Sequence, residues 1–129
     1  MGLPEKLLWV SVGGALGTLF RVLIAHWTMD RWGPGFPYGT LMVNFGGSFL
    51  LGFLVALSLN RTSFSPELLA FLGAGFCGAF TTVSTFSVET IQLAQHHGIG
   101  FSVLNIVLNN TLAIGGALIG MFTARTLSS

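Results

Sequence analysis

Charged side chains are scarce in this sequence. Its 129 residues include five Lys and Arg and four Asp and Glu, together 7% of the chain, whereas hydrophobic residues make up 52%. Soluble domains carry about 25% charged residues, so this chain has too few to cover a surface exposed to water. The scarcity excludes a soluble domain and indicates lipid as the main solvent. The length predicts a single domain over residues 1–129.

Runs of one charge are also lacking, and the net charge is only +1. We therefore expect no nucleic acid partner and no polybasic lipid patch. The single cysteine, Cys77, cannot form a disulfide within the chain. The interior of the apolar segments holds no Asp, one Glu (Glu89) and no His except His26 near an interface, so no set of nucleophile, base and orienting residue can be assembled. The sequence predicts that the protein is not an enzyme.

Four apolar segments are long enough to cross a membrane as helices, which takes about 20 mainly apolar residues for roughly 30 Å of hydrocarbon. They lie at about residues 7–28, 39–59, 67–95 and 101–123. Ser65 and Pro66 suit the N-cap and first helical position of the third segment. The sequence predicts an all-α, multi-pass membrane protein with four transmembrane helices in a microbial inner membrane.

The third segment is unusually long and unusually polar at its middle. As one helix rising about 1.5 Å per residue it would overshoot the bilayer core. Residues 81–87 read TTVSTFS, which places five hydroxyls at the expected membrane centre. A helix broken at mid-membrane, where protein buries the backbone or a wet cavity reaches it, is one interpretation. A continuous helix whose hydroxyls bond to preceding carbonyls is the other.

Amide side chains occupy the apolar second and fourth segments. Asn44 stands alone in the second, where it either supports helix packing through a hydrogen bond or faces a polar path. Asn105 and Asn109 lie one helical turn apart in the fourth, which favours a polar lining. Amide and hydroxyl donors can replace water around a small anion without a fixed charge that would trap it. The interior therefore favours permeation over catalysis.

Charges near the two membrane faces are weakly biased. Lys6, Arg61 and Arg125 fall on one face, and Arg31 falls on the other, where a snorkelling Arg21 could join it. Orientation follows the Lys and Arg counts of short loops, so this small difference permits insertion either way round. An antiparallel homodimer is therefore physically available.

Three blocks of sequence resemble the CrcB/Fluc family of small fluoride channels. They read GGALGTLFR at residues 13–21, GTLMVNFGGSF at 39–49 and GFCGAFTTVSTFSVE at 75–89. The resemblance implies a fluoride-selective channel that passively exports cytoplasmic fluoride across the inner membrane and so lowers fluoride toxicity. It also implies an antiparallel homodimer with a break in each third helix.

The resemblance further implies roles for particular residues. The fluoride pore would be lined by Asn44, Ser84, Thr85, Phe86 and Asn109, and Arg21 would lie near a pore mouth. Backbone carbonyls of Gly78 and Thr81 from both subunits would hold a structural sodium ion, Na+, at the dimer interface. Val83 departs from the family pattern, which has phenylalanine there, so one anion-facing ring edge is missing.

A small multidrug exporter is the rival interpretation, since such proteins also have four short helices and weak orientation bias. Coupling proton entry to efflux of organic cations requires a carboxylate inside the membrane. The first span has none, and Glu89 lies late in the third. The sequence therefore favours the fluoride channel.

Overall fold

The computed structural model describes residues 1–59 and 64–128, and those residues are helical apart from short connections, with no strand among them. Four helical spans in this part of the chain are long and apolar enough to cross a membrane. They are α1 (Leu3–Trp32), α2 (Tyr38–Leu59), a composite third span (Pro66–His96) and α6 (Ile99–Ser128). The prediction of an all-α protein with four membrane-spanning helices is confirmed. The expected polar loop at Asn60, Arg61 and Ser63 lies outside the described residues.

The third span is broken. It comprises α3 (Pro66–Leu69), a π-helix (Ala70–Cys77), α4 (Gly78–Phe80) and α5 (Ser84–His96). Residues 66–80 are called here the first arm, α5 the second arm, and residues 81–83 the break. Thr81 has extended backbone angles, φ −82° and ψ 157°. The continuous-helix interpretation is therefore wrong, although the hydroxyls of Thr81 and Ser87 do bond to the carbonyls four residues before them, as that interpretation expected.

The helices extend further than the apolar segments suggested. α1 was expected to end near Thr28 but continues to Trp32, because the first residue unsuited to helix is Gly33, whose φ is +75°. α6 likewise runs from Ile99 to Ser128, beyond the expected 101–123. At the start of the third span, the Ser65 side chain accepts a hydrogen bond from the Leu68 N–H at 3.1 Å, which confirms the predicted N-cap.

The two arms pack against different helices. The first arm lies against α1, the second arm lies against α6, and α2 pairs with α6. The first contact is one of backbone on backbone: a Cβ added to Gly17 would lie 2.3 Å from the Phe76 carbonyl oxygen, and one added to Gly13 would lie 2.0 Å from that of Phe71. Because π-helical hydrogen bonds join residues five apart, carbonyls 71 and 76 share one face. The chain thus changes packing partner at the break.

Large apolar side chains cover the outside of the helices. On α6, for example, Ile114, Leu118 and Phe122 each expose more than half of their surface along one face. Contiguous apolar surface of this kind is uncommon on soluble monomers and is the normal covering of a membrane span. The protein is therefore a multi-pass membrane protein.

Candidate functional site

Asn44 on α2 holds the backbone of the break. Its side-chain oxygen accepts the Thr82 N–H at 2.8 Å, and its side-chain nitrogen donates to the Thr82 carbonyl at 3.1 Å. Backbone groups without partners are costly in lipid, where no water replaces the lost helical bonds. One amide therefore satisfies both backbone polar groups of the central residue of the break.

Several carbonyls lose their helical partners at the break; those of Ala79 and Thr82 accept side-chain hydrogen bonds instead, from Arg21 and Asn44, whereas those of Gly78 and Thr81 do not. In an unbroken helix, the Gly78 and Thr81 carbonyls would accept from the N–H groups of Thr82 and Thr85. Those two N–H groups instead donate to the Asn44 side chain and, at 3.1 Å, to the Thr82 hydroxyl. The carbonyl oxygens of Gly78 and Thr81 are therefore released from helical hydrogen bonding, which a role as cation ligands requires.

Gly47 makes room for the break. A Cβ at Gly47 would lie 2.3 Å from the Thr81 methyl carbon, a distance that forces the neighbour to move. A Cβ at the preceding Gly46 would come no closer than 3.7 Å, to the Phe80 ring, which is an ordinary contact. The second span thus approaches the break through a single small residue.

Arg21 completes the first arm from the side of α1. Its Nε donates to the Ala79 carbonyl at 3.0 Å, next to the break. A cation at this position also interacts favourably with the negative end of a helix dipole. The Nε–H of Arg21 is therefore bonded to the protein backbone, and the snorkelling of this side chain stays a prediction. Glu89, on the second arm, accepts a hydrogen bond from the Thr40 hydroxyl.

A groove of about 730 Å³ opens on one side of the break, between α2 and the first arm. It extends along α2 from Asn44 to Ser58. Gly78 and Thr81 line it, as do the predicted site residues Asn44, Val83, Phe86 and Asn109. Val83 exposes 76% of its surface there, so this position can carry a larger side chain without displacing the core.

A smaller cavity of about 100 Å³ lies on the other side of the break and reaches the turn between α1 and α2 at Gly33 and Pro37. Its polar lining comprises Arg21, Thr28, Thr40, Thr82, Thr85 and Glu89. Thr82 lines both this cavity and the groove. Thr82 therefore borders both spaces, which extend from the break towards opposite ends of α2.

Most of the predicted site residues come together around Thr82, which sequence reasoning did not single out. Ser84 differs: it is exposed, lines neither space, and its hydroxyl lies 3.5 Å from that of Thr82. The signal that could have identified Thr82 is the lone amide of Asn44, since an amide in an apolar span needs a partner. Which backbone group would supply that partner depends on the tertiary fold.

Side-chain metal ligands do not cluster in residues 1–59 and 64–128: these ranges contain no group of three His, Cys, Asp or Glu that could hold a metal ion. The chemistry at the break is instead that of neutral amide and hydroxyl donors with two released carbonyls. Such groups suit an anion that accepts hydrogen bonds and a hard cation that binds oxygen.

Comparison with known proteins gives the family of this chain. The model of the family described as CrcB-like protein, Camphor Resistance (CrcB), matches residues 8–121. The chain belongs to the CrcB family. The match includes the break, both cavities and all of the predicted site residues. The resemblance read from the three sequence blocks is thereby confirmed.

Several relatives are alike over nearly their whole length. A protein of Agrobacterium fabrum is 41% identical over 92% of this chain and 94% of its own. One of Sorangium cellulosum is 39% identical over 95% and 97%, and one of Shewanella is 46% identical over 85% and 88%. Each relative is named a fluoride-specific ion channel, FluC. These names describe channels rather than enzymes, in agreement with the sequence.

Proposed function

We propose that this chain forms a fluoride-selective channel that lets cytoplasmic fluoride leave passively across the inner membrane, which lowers fluoride toxicity. The observation that carries the proposal is a break that provides neutral hydrogen-bond donors and lies between two cavities, in a chain of the CrcB family. Its relatives' name, fluoride-specific ion channel, supports the choice of anion.

The fluoride path runs past the break, along Asn44, Thr85, Phe86 and Asn109, and Ser84 adjoins it only through its hydroxyl contact with Thr82. Thr85 is the best direct donor, since it lines the smaller cavity and its hydroxyl has no hydrogen-bond partner among the described residues. Phe86 can add the positive edge of its ring. Arg21 lines the smaller cavity, where its positive charge attracts anions to the mouth of the pore.

The channel is an antiparallel homodimer in this proposal. The groove beside the break is wide and exposes Val83 and Gly78, and a second copy would cover it. The small difference in Lys and Arg between the two membrane faces supports insertion in both orientations.

A sodium ion suits the released carbonyls of Gly78 and Thr81, which both line the groove and face the proposed partner. No atom lies within 4 Å of a Cβ added to Gly78, so a second backbone can approach there. Two carbonyls from each subunit would supply four hard oxygen ligands, and the bound cation would add positive charge between the two anion paths.

Passive flow distinguishes this function from proton-coupled export through Glu89. Liposomes containing the protein are loaded with potassium fluoride, and external fluoride is followed with an ion-selective electrode. Because channel flow carries charge, release should require valinomycin, which lets potassium follow. Two results together would favour the exporter. Release would depend on a proton gradient and not on valinomycin, and it would be abolished by Glu89→Gln but not by substitutions of Asn44 or Phe86.

Dual orientation has its own test, in which Arg125→Cys is introduced into a Cys77→Ala background. A membrane-impermeant thiol reagent applied to sealed vesicles should label about half of the protein if both orientations insert equally. Labelling of all or none of it would contradict the antiparallel dimer.

A further inference from the structure

A line of buried side-chain hydrogen bonds leads away from Asn44 into the fourth span. The Asn44 nitrogen donates to the Asn109 side-chain oxygen at 3.0 Å, and the Asn109 nitrogen donates to the Asn105 side-chain oxygen at 2.9 Å. The Asn105 nitrogen then donates to the Thr90 hydroxyl at 3.0 Å. Asn44, Asn109, Asn105 and Thr90 are called here the amide network.

The amide network begins and ends on backbone of the third span. At one end, the Asn44 oxygen accepts from the Thr82 N–H. At the other, the Thr90 hydroxyl donates to the Phe86 carbonyl at 2.7 Å. The network therefore connects the break with the first turn of the second arm by a route through α2 and α6.

The two ends fix the direction of every bond between them. A backbone N–H can only donate and a backbone carbonyl can only accept, so Thr82 requires the oxygen of Asn44, and Phe86 requires the hydrogen of Thr90. Each amide between them then has its oxygen towards Asn44 and its nitrogen towards Thr90. Turning any one amide over would place oxygen against oxygen and nitrogen against nitrogen.

Burial makes this order costly to disturb. Asn105 exposes 0% and Asn109 exposes 4% of its surface. Amides so enclosed are tolerated only when their hydrogen bonds are made, and each bond in such a network strengthens its neighbours. Both N–H groups of Asn44 are also in use, one on the Thr82 carbonyl and one on Asn109.

We propose that Asn105, Asn109 and Thr90 are positioning residues that orient the Asn44 amide and thereby hold the break in shape for permeation. The inference rests on the proposed function. It gives Asn109 an indirect part in the fluoride path, through Asn44, and gives Asn105 and Thr90 parts that the sequence did not assign. Thr90 lies eight residues beyond Thr82, yet its hydroxyl belongs to the same series of hydrogen bonds as the Asn44 amide.

The decisive variant is Thr90→Val, which keeps the shape of the side chain and removes the hydroxyl. Thr90→Ser restores the hydroxyl and should restore the wild-type behaviour. Ser102→Ala is the matched control, because Ser102 is as buried as the network and donates to the Thr90 carbonyl at 2.9 Å without belonging to the network. Asn105→Ser, which is too short to reach both neighbours, is the second test variant.

Two measurements are made on each variant: exchange of the Thr82 N–H with deuterium, by NMR in detergent micelles, and fluoride release from liposomes. Thr90→Val and Asn105→Ser should speed Thr82 exchange by about tenfold, the effect of weakening one hydrogen bond. Both should also slow fluoride release, whereas Thr90→Ser and Ser102→Ala should leave both quantities near wild type.

Unchanged Thr82 exchange in folded Thr90→Val and Asn105→Ser would overturn the proposal, as would an equal effect of Ser102→Ala. If both test variants fail to fold while Ser102→Ala folds, the network serves general stability and the proposal is likewise overturned. Exchange is measured without transport, so a wild-type protein that releases no fluoride would defeat the proposed function and leave the positioning test valid.

Discussion

The two arms of the third span are held in place by different means. The first arm contains no Ser or Thr and packs by close contact of its backbone with α1. The second arm carries Ser84, Thr85, Ser87 and Thr90, and Thr90 bonds to Ser102 and Asn105 of α6. Close backbone packing holds most of the first arm, with one hydrogen bond from Arg21 at its end, whereas directed side-chain hydrogen bonds hold the second. The break lies where one kind of attachment gives way to the other.

The difference implies that the function of the break depends on the polar partners more than on the apolar ones. Close packing against α1 holds the end of the first arm in a fixed position, and the helix ends there. Hydrogen bonds from Asn44 and Arg21 then decide where the released backbone groups point. Substitutions at the contacts of the break should therefore alter transport in a graded order.

The largest effect on fluoride release is expected for Asn44→Leu. This substitution removes both side-chain hydrogen bonds to the Thr82 backbone and leaves the Asn109 side-chain oxygen without its donor. Each unsatisfied buried group costs about 1–3 kcal/mol, so the break should change shape and fluoride release should fall by at least about a hundredfold. Asn44→Asp keeps the oxygen for the Thr82 N–H but not the donors and should recover little. Near-wild-type release by folded Asn44→Leu, measured by electrode, would contradict the role of Asn44.

A smaller effect is expected for Gly47→Ala. The added methyl would meet the Thr81 side chain at 2.3 Å and push the break away from α2. We expect fluoride release to slow by about tenfold, the consequence of raising a barrier by about 1.4 kcal/mol. Gly46→Ala is the matched control, because its methyl finds ordinary contact distance, and it should leave release unchanged. Equal rates for the two variants would count against a close fit at Gly47.

Arg21→Gln should have a moderate effect, because the Ala79 carbonyl loses a charged donor and the smaller cavity loses its positive charge. Release should slow by about fivefold, with the deficit growing at low fluoride concentration, where attraction of the anion matters more. Arg31→Gln, at an exposed helix end, removes the same charge away from the cavity and should have no such effect. Matching deficits in both variants would indicate a loss of general surface charge instead.

The smallest effect, and the only gain, is expected for Val83→Phe. The exposed position accepts a ring, whose positive edge would add a second aromatic contact for fluoride. We expect release about two- to threefold faster, or tighter fluoride binding. Val88→Phe, at an exposed position on the second arm that lines neither space, is the control. If both variants behave like wild type, the ring-edge argument for position 83 fails.

The sequence predicted the spans well because burial in lipid leaves a simple signal of apolar length. It also predicted the start of the third span at Ser65, since an N-cap is a local feature. The three sequence blocks were enough to identify the CrcB family, and with it the residues that the fold gathers near the break. The predicted helix ends were less accurate, because the polar residues that follow Thr28 do not end α1, which continues up to Gly33.

Other features depended on partners distant in sequence. The π-helix packs closely against Gly13 and Gly17 of α1, and no local pattern of the sequence indicates it. The hydroxyls of residues 81–87 suit either a continuous or a broken helix, and only the pairing of Asn44 with Thr82 decides between them. The bond from Arg21 to the Ala79 carbonyl likewise joins residues 58 apart in the chain, so no local pattern predicts it.

Selectivity for fluoride over chloride is the most direct test of permeation past neutral donors arranged around one small anion. Fluoride and chloride release should be compared in liposomes of identical composition, with and without the protein, in the presence of valinomycin. We expect fluoride to be released rapidly. We expect chloride to be released no faster than from liposomes without protein. Chloride leaving as fast as fluoride, or fluoride retained as in empty liposomes, would contradict these expectations.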